Sequence, residues 1–168
     1  PLAVQDLIVY GRMEKSVVKR VVNAVAAACI EQGCVLTGGE TTEQPEVLPP
    51  ETYILGSSIV GVVDESDVID GSKIREADVV IALASSGPHT NGYTLIRDLL
   101  SKHPGLDRET VGETTFLEAV LTPHRCYYQS IRYLFGGQAS GFAHITGGGI
   151  RENLNRILPS NVDAHRPR

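Results

Sequence analysis

The stretch DVVIALASSGPHTNGYTLIRDLLSK, residues 78–102, decides the fold class. Its opening run, Asp78–Ala84, is apolar and rich in β-branched side chains, which predicts a strand. Ser85–Gly92 is crowded with glycine, proline and asparagine and reads as a loop. From about Gly92 to Lys102 the apolar residues recur at helical steps. A second unit repeats the plan. Gly141–Thr146 predicts a strand, Gly147–Gly149 a tight loop, and Ile150–Leu158 a helix closed by Pro159. This alternation belongs to an α/β or α+β protein and excludes an all-β one.

Outward from this block, Glu14–Gln32 predicts a helix. Val17, Val18, Val21, Val22, Val25 and Cys29 form one apolar face, and Gly33 supplies the stop. CVLTGGE then reads as a short strand running into a glycine turn at Gly38 and Gly39, followed by a polar, proline-bearing loop. Thr52–Asp64 is the most persuasive strand of the chain. The charged connector after it, with an Asp70-Gly71 turn, sets a domain boundary near Ile74: residues 1–74 against 75–168. Thr114–Leu121 and His124–Phe135 predict two helices separated by Pro123.

Bulk properties exclude several function classes. With a net charge of −5 and no Lys/Arg-rich run, the chain lacks the basic stripe of a nucleic-acid-binding surface. Aromatic residues are only 5%, too few for base-stacking platforms. No apolar run is long enough to span a bilayer. The first residues, PLAVQDLIVYGRMEKS, lack the basic leader and apolar block of a secretory signal. Cys29, Cys34 and Cys126 form no C-x-x-C pair and read as reduced thiols of a cytoplasmic protein.

Three constellations could carry chemistry. Gly87, Gly92 and Thr94 fall at the spacing of a phosphate-binding G-x-x-x-x-G-K-S/T loop, but Tyr93 stands at the lysine position. Pro88 also removes a backbone donor there, so that loop type is excluded. What remains is an anion loop leading into a helix N-terminus, whose unpaired N–H groups and partial positive charge suit phosphate. Within it His89 can donate a hydrogen bond or move a proton near neutrality, and Asn91 can donate beside it. Ser86, Gly87 and Gly92 line the same loop. The second constellation is Thr146 with Gly147, Gly148 and Gly149; the preceding His144 reads as a core or sheet-face residue. The third is TGGETTE, where Glu40 and Glu43 offer hard oxygen ligands of the kind Mg²⁺ takes.

The segments QGCVLTGGETTEQP (32–45), VVDESDVIDGSKI (62–74), VVIALASSGPHTNGYTLIR (79–97), LTPHRCYYQSI (121–131) and AHITGGGIRENLNRILP (143–159) resemble, in order and spacing, the phosphoribosylformylglycinamidine cyclo-ligases, or aminoimidazole ribonucleotide synthetases. The resemblance spans nearly the whole chain and reads as a central portion of such a protein. It implies an α+β fold of the two-domain ATP-using synthetase superfamily, incomplete at both ends: an N-terminal ATP-binding and dimerisation domain, then a C-terminal α+β domain. It further implies a homodimer, ATP and Mg²⁺ as cofactors, and formylglycinamidine ribonucleotide as substrate, with no nucleic-acid or membrane partner. By position, Glu40 would arrange Mg²⁺–ATP. His89 and Asn91 would meet the substrate or the transferred phosphoryl group. Thr146 and Gly147–Gly149 would offer donors, with Glu152 and Asn153 shaping the following helix.

Two departures stand out: TEQPEVL after GGET, where the family has residues like AEMPGMY, and Asn155 where it has proline. A non-catalytic member, or a sister ATP-dependent synthetase or kinase acting on another small substrate, is the alternative.

Overall fold

The computed structural model describes residues 1–165 and divides into two compact units, Pro1–Ser66 and the residues from Asp67 onward. The end of the second expected domain, residues 166–168, lies outside the described residues.

The first unit is built around a strand that the sequence did not announce. β1 (Ala3–Tyr10) lies between β2 (Val35–Glu43), to which it is parallel, and β3 (Tyr53–Val60), to which it is antiparallel. Alternation along β1 puts Val4, Ile8 and Tyr10 on one face, and these are buried, Ile8 to 1% exposure. Asp6 interrupts that apolar face, which obscures the alternation in sequence. Parallel strands need a crossover, and α1 (Lys15–Gln32) supplies it. Its partly buried residues include Val17, Val18, Val21, Val22 and Val25, with Cys29 fully buried: the face expected from the sequence. Gly33 ends the helix in the left-handed conformation at φ 70°.

The glycine pair after Cys34 does not make the expected turn. β2 runs on through Gly38 and Gly39 to Glu43. Val4 faces Leu36 while Gln5 faces Gly38, so Thr37 is the extra residue of a β-bulge, and its hydroxyl donates to the Val4 carbonyl at 3.2 Å. Gly38, at φ 131°, takes up the distortion. At Gly39 a side chain would collide with the Asp6 backbone and carboxylate. β3 is shorter than the strand expected over Thr52–Asp64, because β1 offers partners only as far as Val60.

In the second unit the two expected strands are absent. Asp78–Ala84 and Gly141–Thr146 carry no ladder, and Val79, Val80 and Ile81 are 64–83% exposed. Strand propensity needs a neighbouring strand to become a strand, and none pairs with either segment among the described residues. α2 (Tyr93–Lys102) follows the first loop as expected. A small hairpin of β4 (Thr110–Val111) and β5 (Thr114–Thr115) precedes α3 (Phe116–Val120). α3 starts later than Thr114 because Thr115 is its N-cap: its hydroxyl accepts from Glu118 N–H at 3.2 Å, and the Glu118 carboxylate accepts from Thr115 N–H at 2.9 Å.

The helix expected over His124–Phe135 begins only at α4 (Tyr128–Ile131) and tightens into a 3₁₀ turn over Arg132–Leu134. Arg125 and Tyr127 both donate to the Ala84 carbonyl, at 3.2 and 3.0 Å, which holds the preceding segment out of a helix. α5 (Gly149–Asn155) ends the series, and no helix among the described residues is long and apolar enough to cross a membrane.

Ile8 and Leu7 are neighbours on opposite faces of β1, 1% and 40% exposed. Ile8→Ala should lower unfolding free energy by about 2–4 kcal/mol, the range for a core truncation that leaves a cavity. Leu7→Ala should cost roughly 1 kcal/mol or less. Urea melts of the two variants check the order; equal losses would show that β1 buries neither face preferentially.

Candidate functional site

The loop Ser85–Gly92 is held by its own side chains. The backbone N–H of Ser86 donates to Nε2 of His89 at 3.0 Å, so that nitrogen carries a lone pair and the neutral ring has its proton on Nδ1. Ser86 Oγ lies 3.0 Å from the same Nε2 and donates to the Pro123 carbonyl at 2.8 Å. Asn91 N–H closes a turn onto the Pro88 carbonyl at 3.2 Å. His89 itself sits at φ 56°, a left-handed conformation unusual for a residue with a side chain. Strain of this kind persists only where surrounding contacts over-determine it.

Gly92, at φ 79°, is the N-cap of α2, and no side chain caps the helix start. A helix start without such a cap leaves first-turn N–H groups free to bind an anion. Tyr93, the residue that spoils the P-loop pattern, serves the packing of the unit. Its hydroxyl donates to the Val120 carbonyl, which ties α2 to the end of α3. Beside the loop runs a largely apolar groove of about 470 Å³ whose lining includes Ser86, Gly87, Pro88, Ala119, Val120 and Thr122. A larger concavity of about 650 Å³ in the first unit is lined by Arg12, Glu43 and part of the 45–50 loop. It contains none of the donor residues just described.

Three imidazoles connect the two glycine loops. His89 stacks on His124 with ring centroids 3.9 Å apart and planes 18° from parallel. His144 follows at 6.3 Å from His124. His144 is exposed and not on a strand, so the expected core or sheet-face histidine is instead the end of this row. Two residues on, Thr146 Oγ1 donates to Asn153 Oδ1 at 3.0 Å, while Asn153 Nδ2 donates to the Gly149 carbonyl at 2.7 Å. Asn153, 3% exposed, is thus the buried tie that shapes Gly147–Gly149 against α5. The Thr146 proton is committed to this bond, which leaves that oxygen to act as an acceptor.

Glu40 lies in the first unit, exposed on β2 and opposite Leu7 of β1. It stands three residues from Glu43, so the two project from opposite faces of the strand. Glu43 is already engaged, accepting from the Met13 N–H at 2.7 Å. The structure does not bring these carboxylates together. Among the described residues no group of three or more His, Cys, Asp or Glu could hold a metal ion.

His124, Arg125 and Tyr127 were not identified as site residues from the sequence. They lie more than 30 positions from His89, and no local spacing relates them to it.

Asn153→Ala leaves the Thr146 hydroxyl and the Gly149 carbonyl without their buried partner. It should destabilise the protein by about 1–3 kcal/mol, the cost of buried polar groups left unpaired. Chemical denaturation checks this; an unchanged midpoint would remove Asn153 as the organiser of the second loop.

Comparison with known proteins matches residues 1–63 to the N-terminal domain of AIR synthase related proteins and residues 75–166 to their C-terminal domain. Together the two matches take in both structural units. The chain belongs to the AIR synthase-related family, a family of ATP-using synthetases, and has its α+β fold.

Proposed function

We propose that this chain serves the ATP-dependent closure of formylglycinamidine ribonucleotide to aminoimidazole ribonucleotide in purine biosynthesis, through phosphorylation of the formyl oxygen. The observation that carries this reading is the row His89–His124–His144, which links the Ser86–Gly92 loop to the approach of the Thr146–Gly149 loop within one unit. A phosphoryl acceptor and a departing phosphate both need donors at the same place, and two donor-bearing loops at one end of a unit suit that need.

In this reading the formyl oxygen attacks the γ-phosphorus of ATP and ADP leaves. The amidine nitrogen then attacks the activated carbon, the C–O bond breaks, phosphate departs with that oxygen, and the nitrogen loses a proton. No protein nucleophile is required; positioning and charge neutralisation carry the rate. His89 acts as the donor through its Nδ1–H, because its Nε2 is occupied by Ser86. Asn91 donates beside it. The N–H groups of the α2 start and of Gly87 and Gly92 receive the phosphate oxygens, with Gly147 and Gly148 on the other side, while the Ser86 N–H holds His89.

ATP enters as the co-substrate of the family. Mg²⁺ would accompany the nucleotide, and because Glu40 and Glu43 point to opposite faces of β2 they would not hold it as a pair. Glu40 remains the proposed contact toward the nucleotide. The protein acts as a cytoplasmic homodimer in this reading, with no nucleic-acid or membrane partner. The exposed Ile54, Leu55, Ile59 and Val60 of β3 support an association surface on the first unit.

ADP release, measured with and without formylglycinamidine ribonucleotide, tests the reading. Release should require that substrate and fall by about 10²–10⁴-fold in His89→Ala, the range for loss of a positioned acid or base. Release independent of the substrate would favour a sister synthetase or kinase, and none at all a non-catalytic member. Either result overturns the proposal.

A further inference from the structure

We propose that His124 is a positioning residue for His89: its ring, stacked on the His89 imidazole, keeps Nε2 turned to Ser86 and the Nδ1–H presented to the ligand. The inference rests on the reading of His89 as the donor of this site. Its geometry, however, stands independently of any reaction.

His89 is held in a left-handed conformation, and three contacts restrain its ring: the Ser86 bonds on the Nε2 edge, the His124 ring stacked on one face, and the Tyr127 ring tilted against it at 6.1 Å. An edge bond alone leaves the ring free to tilt, whereas a stack 18° from parallel fixes its plane. His124 is itself delivered to that place. On one side of it the Pro123 carbonyl accepts from Ser86 Oγ; on the other, Arg125 and Tyr127 donate to the Ala84 carbonyl. Three hydrogen bonds thus pin residues 123–127 to residues 84–86, with His124 over the ring between them.

The stack works with neutral rings. The ionisable groups facing His124 are His89 from the glycine loop, His144 from the segment before the second loop, and Tyr127 from its own segment; its neighbour Arg125 is engaged with the Ala84 carbonyl. None of these is an acid. Loss of water from the stacked face lowers the His124 pKa below the ordinary histidine value, and the charges on His89 and His144 lower it further. A histidine whose folded pKa is depressed contributes full stability above its unfolded value of about 6.5. That stability is lost as pH falls from there toward the folded pKa. Acidification should therefore loosen His89 by charging its neighbour.

Long-range ¹H–¹⁵N spectra of the imidazoles test this, because they read the tautomer of His89 without reference to turnover. At pH 7.5 the wild type should show His89 as a single Nδ1–H tautomer. At that pH His124→Phe, which keeps an aromatic stack, should keep the same tautomer. His124→Ala should give a mixture of tautomers at pH 7.5. The wild type alone provides a further arm: the His124 resonances should titrate below the ordinary histidine value of about 6.5. A single Nδ1–H tautomer retained in His124→Ala, or a His124 midpoint at or above that value, overturns the proposal. Unchanged substrate-dependent ADP release in His89→Ala would instead remove the functional reading while leaving the tautomer result to stand, so the two failures are distinguishable.

Discussion

Backbone pairing governs both units of this protein. An extended segment becomes a strand only when its N–H and C=O groups meet a partner ladder. β1 has a partner along each edge, parallel β2 and antiparallel β3. That double pairing lets Val4, Ile8 and Tyr10 be buried on one face despite Asp6 between them. The same requirement shapes the second unit in the opposite sense. Asp78–Ala84 and Gly141–Thr146 also have strand composition, yet they run unpaired among the described residues. Their carbonyls serve the site instead: Ala84 O receives both Arg125 and Tyr127.

That redirection builds the candidate site. A paired Ala84 would have its carbonyl engaged in a ladder, and the segment 123–127 would lose its anchor. With the anchor in place, His124 lies against His89, and the loop Ser86–Gly92 becomes a set of donors with a defined direction. The opposing loop is organised differently, by one buried amide: Asn153 holds Thr146 and Gly149 together. One loop is thus ordered by stacking and by a histidine acceptor, the other by a side-chain amide. Both loops lead directly into a helix, α2 and α5.

Much of this was legible in the residues themselves. α1 was readable because valines at three- and four-residue steps allow only one helical face, and Gly33 marks its end. α2 was readable from the glycine-to-apolar transition at Gly92. In the loop that precedes it, residue type alone singles out Ser86, His89 and Asn91 as candidates, and the structure ties Ser86 to His89. Other features were not readable because they arise from contact. Gly38 and Gly39 look like a turn in sequence, but in a paired strand the same freedom makes a bulge. The start of α3 was set by the reciprocal bonds of Thr115 and Glu118, a capping box that sequence inspection could have found. The start of α4 was set by bonds to Ala84, which no local rule contains.

Residue type and short-range spacing were enough for α1, α2 and the resemblance that led to the family. Only the assembled fold settles which apolar runs are strands and how His124 and His144 join His89. It also settles that Glu40 and Glu43 point apart. The physical reason is common to all three: strand pairing, ring stacking and strand-face direction depend on partners or registers that no single segment contains.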